Sequence, residues 1–346
     1  MGVKITELVS ATKRTPSLTE LANKKVAIDA FNWLYSFLAP IRLADGSMLQ
    51  DGQGLATSHL SGFFFRNIYL LENRIKPVYV FDGKPSELKK ETIAKRVEIR
   101  EAARKKAEDK KEEGALEEAK KFSEAGTHVE QYMIEDCKRL FELMGIPYID
   151  APSEGEAQAA HLVNKNAVYT AVSQDYDCFL FGARSLLRNL TQQKVRRIRG
   201  KDYHIEMEAY DLQTVLKHLG LNREQLVDLG ILIGTDFNPG IKGVGQKTAL
   251  KYMVEFGSIE NIFDKKPDLA QHLPMDLVKR VRKVFLEPEV TDNYDLAVKP
   301  FDPKGLVEFL CKEKSFSEDR VNARILALQK ELKKASQQSL DSFFSR

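Results

Sequence analysis

The sequence predicts an α/β protein built on a mainly parallel, twisted sheet flanked by helices. Three apolar runs each end in aspartate: KKVAIDAF at Asp29, KPVYVFDG at Asp82, and AVYTAVSQDYD at Asp175 and Asp177. Runs of this kind, rich in Val, Ile, Tyr and Ala, read as buried strands. Between them lie helical patterns such as HVEQYMIEDCKRLFELMG, residues 128–145, with apolar positions near i, i+3, i+4 and i+7. Alternating strands and helices favour parallel pairing, and ligands of open parallel sheets bind beyond the carboxyl ends of the strands. The repeated strand-then-Asp pattern therefore sets several carboxylates along one edge.

With 346 residues, 43% of them apolar, the chain can bury a substantial core as one large domain or two. The net charge of +3 hides a charged fraction of 30%, so any nucleic-acid surface must come from local segregation of charge. Cys137, Cys178 and Cys311 have no metal-like spacing and cannot all pair, which points to a reducing compartment and excludes a zinc motif. No signal-peptide core and no apolar run of about 18 residues is present, so a cytoplasmic protein without a membrane span is expected.

Residues 84–121, KPSELKKETIAKRVEIREAARKKAEDKKEEGALEEAKK, are helix-favouring but almost wholly polar, and Gly114 interrupts them. With little apolar surface to bury, this segment is expected to stand away from the core. Its first part, 84–111, carries 11 Lys/Arg against 6 Asp/Glu. Lys89 and Arg96, seven apart, fall on nearly one helical face. A solvated helix bridging two elements is the plain alternative. Past residue 210 the pattern is helical.

SEGEAQAA at 153–160 adds Glu154 and Glu156 at the start of a helical run, although Ser153 and Glu156 also have the spacing of a capping box. Asp236 follows the apolar LVDLGILIGTD. If these seven carboxylates converge, each like-charged pair about 4 Å apart repels by roughly 4 kcal/mol at an effective dielectric of 20. Such a cluster needs cations, and an oxygen-only donor set favours Mg²⁺ or Mn²⁺ over zinc. Two such ions about 3.5–4 Å apart suit phosphodiester hydrolysis. GIKGVGQKTALK, 240–251, places closely spaced glycines before a helical pattern, where backbone N–H groups and Lys242 and Lys247 can hold a phosphate. Gln246 between Gly245 and Lys247 excludes a Walker A loop, and a Gly-rich turn between helices is the alternative. KVRRIRGK, 194–201, reads as a phosphate contact or an exposed hairpin.

AIDAFNWLY, KPVYVFDGKPSELKKETIAKR, MGIPYIDAPSEGEAQAA, SQDYDCFLFG and GTDFNPGIKGVGQKTALK together resemble the flap endonuclease family, structure-specific 5′ nucleases of replication and repair. The resemblance runs through essentially the whole chain, including FLEPEV at 285–290. The archaeal type matches best, because the chain stops just after SFF without a long basic extension.

The resemblance implies a 5′ flap endonuclease and 5′→3′ exonuclease that cuts DNA at single-strand/duplex junctions in Okazaki fragment processing and repair. The family's metal ligands map onto Asp29, Asp82, Glu154, Glu156, Asp175, Asp177 and Asp236, implying two Mg²⁺ ions with Mn²⁺ as a substitute; Gly155 and Gln174 depart from the pattern without touching a ligand. Residues 84–130 correspond to the helical arch over a single-stranded 5′ flap, with Lys89 and Arg96 as the catalytic pair at the scissile phosphate. Tyr35 corresponds to the aromatic that stacks on a base, and Gly2 to the mature N-terminal residue near the junction. Residues 225–260 correspond to a helix–two-turn–helix element in which Gly240, Lys242, Gly243, Gly245 and Lys247 grip downstream duplex, with a K⁺ ion as a candidate there. Residues 36–65 correspond to the apolar wedge and the pocket for a 3′ flap.

Residues 1–330 are thereby expected to form the nuclease core and 331–346 a tail. In QQSLDSFF, Gln337, Leu340, Phe343 and Phe344 have the spacing of a helical turn with one apolar side. It resembles the peptide that docks on the sliding clamp, proliferating cell nuclear antigen; a chain end packed on its own domain is the alternative. The partners implied are branched DNA with a 5′ flap and the clamp, with the enzyme a monomer. A junction nuclease of the same superfamily and a metal-free DNA binder are the rival readings, and the compact arch and the complete ligand set count against them.

Overall fold

A computed structural model describes residues 2–190, 195–198 and 201–344, with backbone alone for 195–198, 201–204 and 335–344. Six strands form one sheet in the order β3-β2-β1-β4-β5-β8. The strands are β1 (Lys25–Asp29), β2 (Lys76–Phe81), β3 (Tyr148–Asp150), β4 (Thr170–Val172), β5 (Ser185–Arg188) and β8 (Glu208–Asp211). All pairs are parallel except β5 with β8, which is an antiparallel edge. β6 (Val195–Ile198) and β7 (Lys201–His204) pair antiparallel with each other. The hairpin reading of 194–201 thus holds for the backbone; Lys194, Arg199 and Gly200 lie outside the described residues.

The sheet is parallel because both of its faces are covered, as apolar runs without polar alternation require. On one face Ala27, Val78, Val80, Ala171 and Leu186 pack with the helices Gly155–Asn164, Leu212–Leu219 and Arg223–Ile233. On the other, Val26, Ile28, Tyr79, Phe81 and Leu187 pack with Ala30–Leu38, Ser58–Glu72, Gln131–Met144 and the start of Glu318–Phe344. Successive strand residues point to opposite faces, so each strand feeds both clusters. The chain goes from β1 to β2 and β3 on one side, then returns to β4 and β5 on the other. The carboxyl ends of β1 and β4 therefore border the switch-point crevice where ligands of such sheets bind.

The polar run forms two helices, Lys90–Glu112 and Leu116–Ala125, joined where Gly114 adopts φ +75°. In them only Ala103, Ala107 and Ala119 are buried, as the scarcity of apolar residues anticipated. Among the described residues no helix is long and apolar enough to cross a membrane.

His59, fully buried on helix Ser58–Glu72, has neither ring nitrogen hydrogen-bonded; its Nε2 lies 3.5 Å from Asp136 Oδ2, which Lys314 holds at 2.7 Å. Burial lowers its pKa from the ordinary 6.5, with the Asp136 carboxylate opposing and Lys314 assisting. The unfolded chain then takes up the proton first, so stability is lost as pH falls below about 6.5 toward the folded value. His59→Gln is expected to remove up to about 1.4 kcal/mol per pH unit from the wild-type slope in that window. Denaturant titrations of both proteins at pH 7.5, 6 and 5 measure it, and parallel slopes would refute the neutral buried state.

Candidate active site

Five chain segments deliver seven carboxylates to the crevice. Asp29 ends β1, and its side chain accepts the Asn32 N–H at 2.9 Å, so it also N-caps the next helix. Asp82 directly follows β2, and its Oδ1 accepts the Gly155 N–H at 2.6 Å. A Cβ on residue 155 would stand 2.7 Å from that oxygen, so the departure from the family pattern at Gly155 leaves room for Asp82. Glu154 is the N-cap residue of helix Gly155–Asn164 and Glu156 lies in its first turn. The capping box does not form: with Glu154 rather than Ser153 at the N-cap, Glu156 falls one position short, and it accepts the Ser173 hydroxyl at 2.9 Å.

Asp175 and Asp177 flank Tyr176 in the turn after β4. The Asp177 Oδ1 accepts the Val3 N–H at 2.6 Å, and the Asp175 N–H donates to the Ser173 hydroxyl at 3.1 Å. Gly2 lies against the same pair, since a Cβ there would meet Asp177 Oδ1 at 2.7 Å and Asp175 Cβ at 2.8 Å. Asp236 follows helix Arg223–Ile233, and both of its oxygens accept from Arg96 Nη2, at 2.7 and 2.8 Å. Lys89 bonds Glu154 directly, lies 3.9 Å from Asp236 and sits over the Phe237 ring.

Burial and mutual repulsion dominate the electrostatics. Burial, with the Asp82 charge behind it, pushes Asp29 up to about 7. Burial also pushes Asp177 up to about 7, against the Val3 hydrogen bond and with Asp236 and Asp175 adding to it. Asp82, Glu154 and Glu156 rise as well, chiefly through loss of solvation, although Asp82 keeps an exposed face. Burial works against the Lys89 charge, but Glu154, Asp82 and Asp236 outweigh it and its pKa goes up.

The donor set fits a hard divalent cation. It is all oxygen, and the buried Glu154 Oε1 has no hydrogen-bond partner. As the side chains stand, no three His, Cys, Asp or Glu groups among the described residues close on one point tightly enough to hold an ion. Lys89 and Arg96 offset part of the charge, at Glu154 and Asp236.

Tyr35 is half-buried on helix Ala30–Leu38, with the Arg100 guanidinium 4.6 Å above its ring. Gly240 and Gly243 adopt φ +71° and +87°, and Gly245 precedes helix Gln246–Phe256, whose first turn has no side-chain cap. Lys242 and Lys247 are exposed on this separate turn, and Lys247 reaches Glu7 at 3.3 Å. The backbone of 337–344 continues helix Glu318–Phe344, while the side chains of Gln337, Leu340, Phe343 and Phe344 lie outside the described residues.

Sequence reasoning missed several contacts. Thr92 donates to the Asp236 carbonyl at 2.9 Å, and Arg100 covers Tyr35. The i, i+4, i+8 spacing of Thr92, Arg96 and Arg100 was a usable signal for one helix face. Ser173 and the Val3 amide carried none, because a hydroxyl after a strand and a backbone N–H are everywhere.

Clustered carboxylates at the switch point of a mainly parallel sheet, with Lys89 and Arg96 at the base of a two-helix arm laid on them, suit the class of metal-dependent nucleases. Residues 1–103 match the XPG N-terminal domain and residues 145–236 the XPG I-region. Flap endonuclease 1 of Pyrococcus furiosus is 47% identical over 349 aligned residues, covering 100% of both chains. The solved flap endonuclease-1 from Methanococcus jannaschii is 38% identical with a TM-score of 0.74, covering 96% of this chain and 100% of that one. The catalytic core of Rad2 in complex with DNA substrate is 28% identical with a TM-score of 0.72, covering 95% of this chain and 100% of that one. The chain belongs to the flap endonuclease family, archaeal type, and is a DNA-binding, structure-specific 5′ nuclease of a metal-dependent family.

Asp177 tests the electrostatic account. Its folded pKa is raised from 3.8 to about 7, so its favourable contribution is complete at low pH and lost as pH rises through 7. In metal-free protein at pH 8, Asp177→Ala is expected to raise the thermal midpoint by several degrees, with a smaller gain at pH 5. A lower midpoint at pH 8 would show that the Val3 hydrogen bond outweighs repulsion.

Proposed function

We propose that this chain is a 5′ flap endonuclease with 5′→3′ exonuclease activity, active in Okazaki fragment processing and repair. The observation that carries this reading is the contact of Lys89 and Arg96, both on the polar arm, with carboxylates contributed by other segments of the crevice. An arm long enough to cover the site and cationic where it touches suits a single strand passing beneath it. Residues 1–330 then act as the nuclease core, 84–130 as the arch, 225–260 as the helix–two-turn–helix element, and 331–346 as the tail.

Asp29, Asp82, Glu154, Glu156, Asp175, Asp177 and Asp236 would hold two Mg²⁺ ions, with Mn²⁺ as a substitute. When bound, such ions lower the pKa of water and offset negative charge on the phosphodiester and its leaving oxygen. Lys89 and Arg96 exchange their carboxylate partners for the scissile phosphate, which positions it and neutralises developing charge. Tyr35 offers its ring to a base once Arg100 swings aside. Gly2 keeps the chain's start small beside the junction. Gly240, Gly243 and Gly245 bring backbone N–H groups to one duplex strand with Lys242 and Lys247, and a K⁺ ion is a candidate at this turn. The monomeric, cytoplasmic enzyme engages the sliding clamp through Gln337, Leu340, Phe343 and Phe344.

A labelled double-flap substrate, with and without Mg²⁺ and resolved to the nucleotide, tests the reading. One dominant metal-dependent cut at the flap base is expected, whereas preference for another junction would favour the superfamily rival. Asp177→Ala is expected to slow this cut about a hundredfold or more, because metal stabilisation supplies several kcal/mol.

Lys242→Ala combined with Lys247→Ala should weaken binding to all duplex sequences alike and make the log–log salt slope shallower by up to about two. A sequence-selective loss would contradict phosphate contacts. For the tail, burying one phenylalanine contributes roughly 1.5–3 kcal/mol. Phe343→Ala combined with Phe344→Ala is therefore expected to abolish stimulation by the clamp while unassisted cleavage stays near normal. Loss of unassisted cleavage or of thermal stability would return these residues to the protein's own core.

A further inference from the structure

A closed polar network lies behind the Asp175–Asp177 turn and takes no part in the chemistry described above. Arg188 ends β5, the strand beside β4, which leads into the turn. Its Nε donates to the Gln174 carbonyl at 3.1 Å, its Nη1 donates to the Tyr176 hydroxyl, and its guanidinium lies 4.4 Å over the Tyr176 ring. The same Nη1 lies 3.0 Å from Glu208 Oε2, across the antiparallel pair with β8. The Tyr210 hydroxyl donates to that oxygen at 3.0 Å and accepts from Tyr176 at 3.2 Å, which closes the ring of contacts. Tyr176 and Tyr210 are 2% and 3% exposed.

The network grips the turn twice, by the Gln174 carbonyl before Asp175 and by the side chain of the residue between the two aspartates. We propose that Tyr176 and Arg188 are positioning residues that set the separation and orientation of Asp175 and Asp177 for a divalent cation. Neither touches the cation or DNA in this role. The proposal rests on the reading of Asp175 and Asp177 as metal ligands. Two like-charged neighbours, one of them buried, drift apart unless the backbone holding them is stiff, and a stacked, doubly bonded guanidinium supplies that stiffness. Partners that orient metal ligands typically change metal affinity 10–100-fold when removed.

The two substitutions separate the functions of the network. Tyr176→Phe keeps the ring and its stacking but removes the hydroxyl that Arg188 and Tyr210 share. Arg188→Lys keeps the charge near Glu208 but loses the planar stack and the Nε donor to Gln174.

The experiment titrates Mn²⁺ into metal-free, full-length protein and reads free Mn²⁺ by electron paramagnetic resonance. Wild type, Tyr176→Phe, Arg188→Lys and Asp177→Ala are compared, with thermal midpoints measured alongside. Tyr176→Phe and Arg188→Lys are expected to bind Mn²⁺ about tenfold or more weakly. Their flap cleavage should recover toward wild type when metal is raised in proportion. If Tyr176→Phe binds Mn²⁺ as wild type does, the positioning role is overturned, even if its midpoint falls, because the network then serves only the β5–β8 edge. Should Arg188→Lys fail to fold, Tyr176→Phe alone decides. Undiminished binding by Asp177→Ala would overturn the ligand reading and this proposal together. Weak binding by Asp177→Ala beside normal binding by Tyr176→Phe would overturn the proposal alone.

Discussion

The crowding of carboxylates at the ends of β1, β2 and β4, some buried and some open to solvent, is the constraint around which this molecule is arranged. With both faces of the sheet covered, a carboxylate at a strand end loses part of its solvation and meets its neighbours in a medium of lowered dielectric. Loss of solvation accordingly pushes Asp29 and Asp177 up to about 7. A fold carrying such a cost tolerates it only if cations supply the balance.

Much of the remaining structure consists of ways to hold these charges. Gly155 N–H, Val3 N–H and the Ser173 hydroxyl each bind one carboxylate from a different direction. Each such bond favours the charged form of its carboxylate. The arm formed by helix Lys90–Glu112 packs little of its own surface, yet Lys89 and Arg96 tie its base to Glu154 and Asp236. Ion pairs therefore help to set its position over the crevice. On the proposed function, a strand of DNA or a metal ion would compete for the same charges, which would couple access to the site with the placement of the arm.

The region beyond the sheet is held differently. Asp228 on helix Arg223–Ile233 takes Arg282 in a bidentate pair at 2.6 and 2.7 Å, and Arg282 also binds Glu260. This partly buried network links helices Ile259–Lys265 and Met275–Leu286 to the helix that leads to Asp236. The glycine turn at 240–245 thus stands on a rigid frame that also positions one of the seven carboxylates. Duplex held by that turn and phosphate held at the crevice would then have a fixed spacing.

The sequence by itself determined the α/β class, the strand-end location of Asp29, Asp82, Asp175 and Asp177, and the family. Apolar runs with a period of two or none, ending in Asp, have few other solutions once they must be buried. It also showed that the run after Asp82 could not join a core, because polar side chains leave no apolar stripe. Only the tertiary structure decided which carboxylate meets which cation. Lys89 and Asp236 lie far apart in sequence, and no periodicity relates them. Glu156 was open in sequence between cap and ligand, and one residue of helix register removed the capping box by making Glu154 the N-cap. The Arg188–Tyr176–Tyr210–Glu208 network was invisible for the same reason: its members come from the turn after β4 and from two strands, and meet only because β5 pairs with β8 in the register that sets Arg188 opposite Glu208. Local pattern is a property of neighbours along the chain, whereas a site is made by groups that burial and pairing bring together.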